Sequence, residues 1–425
     1  MYIFVKIHEF YNKGISISMR LFLLCLLLAT ATLAPAQTIQ HGAIVIGRVD
    51  SVASAVLKEQ RKLWVYVPAS AGDPTSSPQH YPVVYLLDGD DHFASATGVM
   101  QYLSQVSICP EMIVVGIPNT KRTRDLTTSQ PAHTEGMSAD ELKAAGGGEN
   151  FTAFLEKELI PYIDAHYPTT PHRTLIGHSL GGLLVLNTLV NHPSLFDNYV
   201  ALDPSMWWDD EKLLKQTHDV LAQPRFAGRA LFVASANVTG LDSVQAAKDP
   251  HTRAKWKLRD ELTRNRSNGL RWAYKYYPTD THGSVPLLGT YDALHFLFQG
   301  YALPLAFNND LYKPGANVVA LLETHYQQFS TQAGYLVLPP ESLVNGIAYG
   351  LLSLERPAAA LSLFQLNVRN YPASFNVHDS LGDYYLAQKQ PALAVAAFTK
   401  ALQLKENPAS RAKLIALQAK GKKKR

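Results

Sequence analysis

The run Gly177-His178-Ser179-Leu180-Gly181-Gly182 sets a hydroxyl between two glycines in the pattern G-x-S-x-G. An apolar Leu175-Ile176 precedes it and Leu183-Leu184-Val185-Leu186 follows, so the pattern falls between a strand and a helix. That is the context in which such a serine becomes a nucleophile. A sharp turn lifts the side chain clear of the sheet. A side chain two residues to either side would collide, which explains the glycines. The following helix directs its positive end at the site, and the Leu180 amide is the expected first donor to an oxyanion.

A serine nucleophile needs a base, and folds that carry G-x-S-x-G at a strand-to-helix turn place the triad in the order serine, acid, histidine along the chain. His192, His218, His251, His282, His295 and His325 all follow Ser179. His282 is preferred. It lies in Asp280-Thr281-His282-Gly283-Ser284, a polar turn just past a late strand. His295, the runner-up, sits in the amphipathic stretch Tyr291 to Phe298. The acid should follow the strand Ala230–Ala234. Asp242 is the first carboxylate there, and Asp249 and Asp260 are alternatives. A dyad in which Asn237 or a backbone carbonyl orients the imidazole is a further option.

These residues need elements to hold them. Leu63–Val67, Val83–Leu87, Met112–Val115, Leu175-Ile176, Tyr199–Leu202, Ala230–Ala234 and Trp272–Tyr276 read as strands. Several are apolar at consecutive positions, as strands covered on both faces require. Helical patterns at Phe151–Tyr167, Leu180–Val190 and Ala254–Thr263 alternate with them, which makes an α/β sheet protein. Thr128 to Asn150 is a long polar segment ending in three glycines, more in keeping with a lid or cleft wall than a linker. Beyond Leu303 the strand patterns stop. A 34-residue repeat pairs Ala348 with Gly382, Pro357 with Pro391, Ala360 with Ala394 and Phe364 with Phe398. This looks like two tetratricopeptide repeats, 341–374 and 375–408, with a capping helix from Arg411 to Lys420. Asn367 and Glu406 stand where the usual pattern has Ala and Pro. Two repeats are few for a free-standing array, so they should dock on the α/β domain through Tyr312 to Leu338.

The 425 residues are 47% apolar and 17% charged, enough for a large core and unlike a disordered chain. The net charge of +4 is largely terminal. Setting aside residues 1–36 and the five basic groups among the last six residues leaves a body at −3, which gives no basis for nucleic-acid binding. Met19-Arg20, the apolar run Leu21–Leu33 and Ala34-Pro35-Ala36 form a secretory signal pattern, with 1–18 an upstream extension. The expected organisation is a signal peptide at 1–36, an α/β domain that carries the serine turn at 37–303, a helical connector at 304–340, and repeats, cap and basic tail at 341–425. After the signal only Cys109 remains, so no internal disulfide is expected. No further run is long enough to span a bilayer, so stable membrane insertion is not expected.

Taken together, the motifs resemble the putative esterase family, which includes esterase D and the ferric-siderophore (enterobactin-type) esterases. The resemblance covers roughly 40–303. It rests on Val84-Tyr-Leu-Leu-Asp-Gly-Asp90 with His92-Phe93, on Val114-Val-Gly-Ile-Pro-Asn119 with Arg122 and Arg124-Asp125-Leu126, and on Glu158-Leu-Ile-Pro-Tyr-Ile163. It rests also on the serine turn, on Pro204-Ser205-Met206-Trp207-Trp208 and on His282-Gly-Ser-Val285. The resemblance implies an α/β-hydrolase fold and serine ester hydrolysis, with Ser179 as nucleophile and His282 as base. It implies a second oxyanion amide at Gly89 or Asp90 and leaves the acid open.

Arg122 and Arg124 are candidates to hold an anionic part of a substrate, or else to pair with a nearby carboxylate. Trp207 and Trp208 are candidates to wall an aromatic cleft, or else to cap the core. Asp88-Gly89-Asp90-Asp91-His92 lacks the alternation of a calcium loop. Neither metal nor cofactor is expected. The leading expectation is a secreted or periplasmic serine esterase acting on a small-molecule ester. An acyltransferase using the same serine is an alternative, and so is an interaction protein that binds a protein partner through its repeats.

Overall fold

A computed structural model describes residues 44–72, 79–132, 134, 137–237, 247–304 and 309–422. The signal pattern, Asp242 and the last three residues lie outside them. Residues 46–425 form one compact unit.

Eight strands form a single sheet: β1 Arg48–Ser54, β2 Glu59–Tyr66, β3 Tyr81–Leu87, β4 Ile113–Ile117, β5 Thr169–His178, β6 Asn198–Leu202, β7 Ala230–Ala236 and β8 Arg271–Tyr277. Their order is β1-β2-β4-β3-β5-β6-β7-β8. The β1–β2 and β2–β4 pairs are antiparallel and every pair from β4 to β8 is parallel. The seven strands read from the sequence all appear, and β1 is an addition. The middle strands run apolar because both faces are covered. On β3, Val83, Tyr85 and Leu87 join the core on one face of the sheet, and Val84 and Leu86 join the core on the other.

The helices that bear on the site are α1 Gly89–Gln105, α2 Leu180–Asn191, α3 Trp208–Leu221, α4 Pro250–Arg264 and α5 Val285–Leu297. The stretch predicted at Phe151–Tyr167 is helical from Gly148 to His166, with a π turn at Leu155–Leu159. Phe151, Phe154, Leu155, Leu159 and Ile163 are buried on it. In the long polar segment, Ser138 caps a short helix at Ala139–Ala144 through a reciprocal Ser–Glu box. Gly147 and Gly148 donate their N–H groups to Arg124 O and Thr127 O, which ties the segment's end down.

Helix α6, Val318–Ala333, joins the two halves of the molecule. Its Tyr326 and Phe329 enter the core on the β3 Leu86 side of the sheet. Its Val318 and Leu322 enter the core of the helical tail. At its end the Ala333 carbonyl accepts a hydrogen bond from His172 Nδ1 on β5, at 2.8 Å. The tail follows as two hairpins, α7 Glu341–Ser353 with α8 Pro357–Asn370, and α9 Phe375–Ala387 with α10 Pro391–Leu404, then α11 Pro408–Lys422. Phe364 and Phe398 are fully buried at matching places in the two hairpins. Asn367, where the repeat pattern has Ala, is buried and donates Nδ2–H to Glu341 O, tying the first hairpin's helices together. Among the described residues no helix is long and apolar enough to cross a membrane.

Candidate active site

Ser179 ends β5 and opens α2 with φ 59° and ψ −118°, a left-handed backbone that a non-glycine residue adopts only when its surroundings impose it. They do so here. The Ser179 N–H donates to Leu202 O on β6, and the Ser179 carbonyl accepts from both Leu183 N and Ser205 N. A methyl group on Gly177 would lie 2.4 Å from the Gly181 carbonyl, so the turn closes only with glycine there. The Ser179 hydroxyl meets the Ser205 hydroxyl at 3.3 Å. Leu180 is buried at the first turn of α2.

His282 lies in the turn after β8, and its Nδ1 stands 2.6 Å from Asp203 Oδ2. Its ring lies 4.4 Å from that of His178, the residue before the serine. The His178 Nε2 and the His282 carbonyl oxygen are 2.8 Å apart, so the neutral imidazole donates and ties the base's turn to the serine turn. Burial pushes His178 down to about 3, and the nearby His282 and His92 add to this. Near neutral pH it is therefore uncharged and carries its proton on Nε2.

The carboxylate against His282 is therefore Asp203, one residue past β6, and not one after β7. Asp242 lies outside the described residues. Asp249 caps α4 by accepting from Thr252 N at 2.7 Å, and Asp260 pairs with Arg259 at the surface. Asp203 is fully buried, with φ 45°. Its Oδ1 accepts from Ala236 N at 2.8 Å and from Lys255 Nζ. His251 Nε2 stands 3.4 Å from Oδ2 at ion-pair distance. Burial pushes the Asp203 carboxyl up. Contacts with His251 and His282 and the charge of Lys255 outweigh it and hold the group far below the ordinary carboxylate range. The ligand-type atoms of Asp203, His251 and His282 lie within 4.8 Å of one another, as a metal site requires. The Lys255 ammonium already on the same carboxylate opposes a cation there.

The loop from β3 into α1 faces this group. Gly89 opens α1. A methyl on Gly89 would lie 2.6 Å from Ile117 N, so the close approach of β4 demands glycine. Asp90 Oδ1 accepts from Asn119 N and Nδ2 at 3.3 and 3.1 Å. The His92 ring stands 5.3 Å from that of His178, which sets the start of α1 beside the serine turn. Buried Asp88 holds Arg122 in a two-pronged pair at 2.7 and 3.0 Å. Arg124 is bound to Glu59 and Asp125. Trp208 is buried, with Nε1–H donating to Ser129 O, and so belongs to the core. Trp207 is half-buried, 6.3 Å from the His251 ring. Both arginines are thus spent on carboxylates, and of the two tryptophans Trp207 alone borders the His251–His282 group. His295 lies against Tyr291 within α5, the two rings tilted with centroids 4.6 Å apart. Sequence reasoning missed Asp203 and Lys255 as site residues, and it named His251 and Ser205 without giving either a role.

Comparison with known proteins agrees with this architecture. A ferri-bacillibactin esterase, BesA, of Bacillus subtilis is 33% identical over 172 residues, 37% of this chain and 59% of that protein. A siderophore enterobactin esterase of Emericella nidulans is 30% identical over 188 residues, 40% of this chain and 58% of that one. The chain thus spans about six tenths of the length of these curated relatives. The crystal structure of an IroE-like serine hydrolase from Shewanella oneidensis matches with TM-score 0.64 and 30% identity, covering 76% of this chain and 99% of that one. The family model described as Putative esterase matches residues 54–284, more than half of the sequence, and the chain belongs to that family.

Proposed function

We propose that the chain is a serine hydrolase of carboxylic esters, with Ser179 as nucleophile, His282 as base and Asp203 as the acid that orients it. The carrying observation is the combination of a strained Ser179 backbone at the end of β5 with the 2.6 Å contact between His282, after β8, and Asp203, after the neighbouring β6. Ser179 Oγ attacks the ester carbonyl and His282 Nε2 takes its proton. The C–O bond then breaks as the imidazolium returns the proton to the leaving alkoxide. Water, deprotonated by the same nitrogen, releases the acid and restores the hydroxyl. The developing oxyanion is held by the Leu180 amide and by an amide at Gly89 or Asp90, at the start of α1. The relatives' names support a siderophore-type ester as substrate. The signal pattern at 19–36 supports export, which sets the chemistry outside the cytoplasm.

The test is hydrolysis of a chromogenic ester by purified protein, beside Ser179→Ala and fluorophosphonate labelling. The expected result is a loss of at least ~10³ in kcat with the fold intact, and labelling of the parent at Ser179. Substantial turnover left in Ser179→Ala would overturn the assignment.

A further inference from the structure

Behind the His282–Asp203 contact lies a cation that a serine, a histidine and an acid do not require. Lys255 stands on α4 with its side chain fully buried. Its Nζ donates to Asp203 Oδ1 and, at 3.3 Å, to the Ala236 carbonyl. The same Oδ1 takes the Ala236 N–H. The two carboxylate oxygens are thus divided, Oδ1 to the ammonium and the β7 backbone, Oδ2 to His282 and His251. Lysine is rarely so deeply buried unless it is paired, and a buried carboxyl without a partner would take up a proton. Each member of this pair makes the other's burial tolerable. Burial lowers the Lys255 pKa and Asp203 opposes the shift.

We propose that Lys255 is a positioning residue of the ester site. Its ammonium pins Asp203 Oδ1 so that Oδ2 faces the base, and it keeps that carboxyl ionised when the medium turns acid. The inference rests on the reading of Ser179 and His282 as nucleophile and base. Other ionisable groups face the pair from every side. His251 and the capping Asp249 lie on α4, His178 on β5 with His92 of α1 behind it, and Tyr274 on β8. Asp280 lies in the turn before α5, bound by the Ser284 hydroxyl. Lys255 is the group among them that sets a full positive charge directly on Oδ1.

The sign follows from the carboxyl. With the ammonium gone and the burial unchanged, the Asp203 pKa rises. The His282–Asp203 pair then takes up a proton at a higher pH, and turnover that needs the free base is lost with it as the medium is acidified. The experiment is kcat/KM against pH on a chromogenic ester, together with the rate of fluorophosphonate labelling, for the full chain, Lys255→Met and Lys255→Gln. Both variants should lose ~10-fold or more in the acid range through kcat rather than KM. Their acid limb should move up by about one unit or more, and the deficit should shrink on the alkaline side. Gln keeps a donor near Oδ1 without the charge, so it decides the matter should Met fail to fold. In the Asp203→Asn background, Lys255→Met should add less than about twofold, because the lysine acts through that carboxylate. An acid limb at the parent's position, or a loss that adds fully in that background, would overturn the proposal. A parent that is neither labelled at Ser179 nor active would bring down the ester reading itself. A labelled parent with an unmoved limb removes Lys255 alone.

Discussion

The sheet's catalytic end and the helical tail solve opposite problems. At the first, charged and polar groups from the end of β7, α4 and the turn after β8 converge on one buried carboxylate at the end of β6. Residues that meet there are up to 79 positions apart in the chain. In the tail, small and aromatic residues recur at fixed spacing and pack on their neighbours. A methyl on Gly382 would lie 2.6 Å from the Phe398 ring, so the second hairpin closes only on glycine. Chemistry here depends on long-range placement of a few atoms, whereas the tail depends on short-range repetition of shape. Substitutions of the reacting groups at the sheet's end should therefore act chiefly on rate, and those in the tail on stability.

The sharpest break of that contrast is His282→Ala, which should cost about 10³-fold or more in kcat because nucleophile and base act as a unit. Circular dichroism should show the parent's fold. Asp203→Asn comes next. It keeps the shape but gives Nδ1 the wrong partner and leaves the Lys255 ammonium facing an amide, for a loss of roughly 10³-fold in kcat. Asp249→Asn and Asp260→Asn should stay within about twofold, since an asparagine still caps α4 and Asp260 is at the surface. An Asp249 or Asp260 variant as impaired as Asp203→Asn would refute the acid assignment.

The same contrast explains what could be read in advance. The tail's helices begin at Glu341, Pro357, Phe375 and Pro391 because a 34-residue period is local information. The buried strands were legible for the same reason, as runs of consecutive apolar residues. β1 was not, since only Val52 and Ser54 of its seven residues are buried and it shows itself chiefly by pairing with β2. Ser179 and His282, the proposed nucleophile and base, stand out in the sequence by motif and position. Asp203 could not be found by a rule that looks past β7. The available signal was a carboxylate directly after Leu202, on the strand beside the serine's. Lys255 gave no signal at all, being one of several basic residues in a polar helix. Only the fold shows that it alone of α4's lysines points inward to a carboxylate.

In the tail, Phe398→Ala should destabilise by about 3–5 kcal/mol, the range for emptying a buried aromatic site. Turnover per folded molecule should stay within a few-fold of the parent. Thermal or denaturant unfolding gives the first quantity and active-site titration with a fluorophosphonate the second. A Phe398→Ala protein that is stable yet inactive would show that the tail shapes the ester cleft, and the division between rate and stability would fail.

The smallest effect asked for is one of pH, and it belongs to the catalytic end. His178 titrates at about 3 in the folded chain and near the ordinary histidine value of about 6.5 when unfolded. Between those two values the unfolded chain binds the proton and the folded chain does not. Stability from this residue is therefore complete above the upper value and declines as pH falls toward the lower one, by up to about 1.4 kcal/mol per pH unit. His178→Gln keeps a donor for the His282 carbonyl without a titrating ring. Near neutrality the variant should be the less stable, because the fitted imidazole packs between His92 and His282. As the pH is lowered, the parent should lose stability faster, so the gap between the two melting curves should narrow and then invert. Parallel curves across that window would mean that His178 does not carry this penalty, and that the acid sensitivity of the site lies with its other buried histidines.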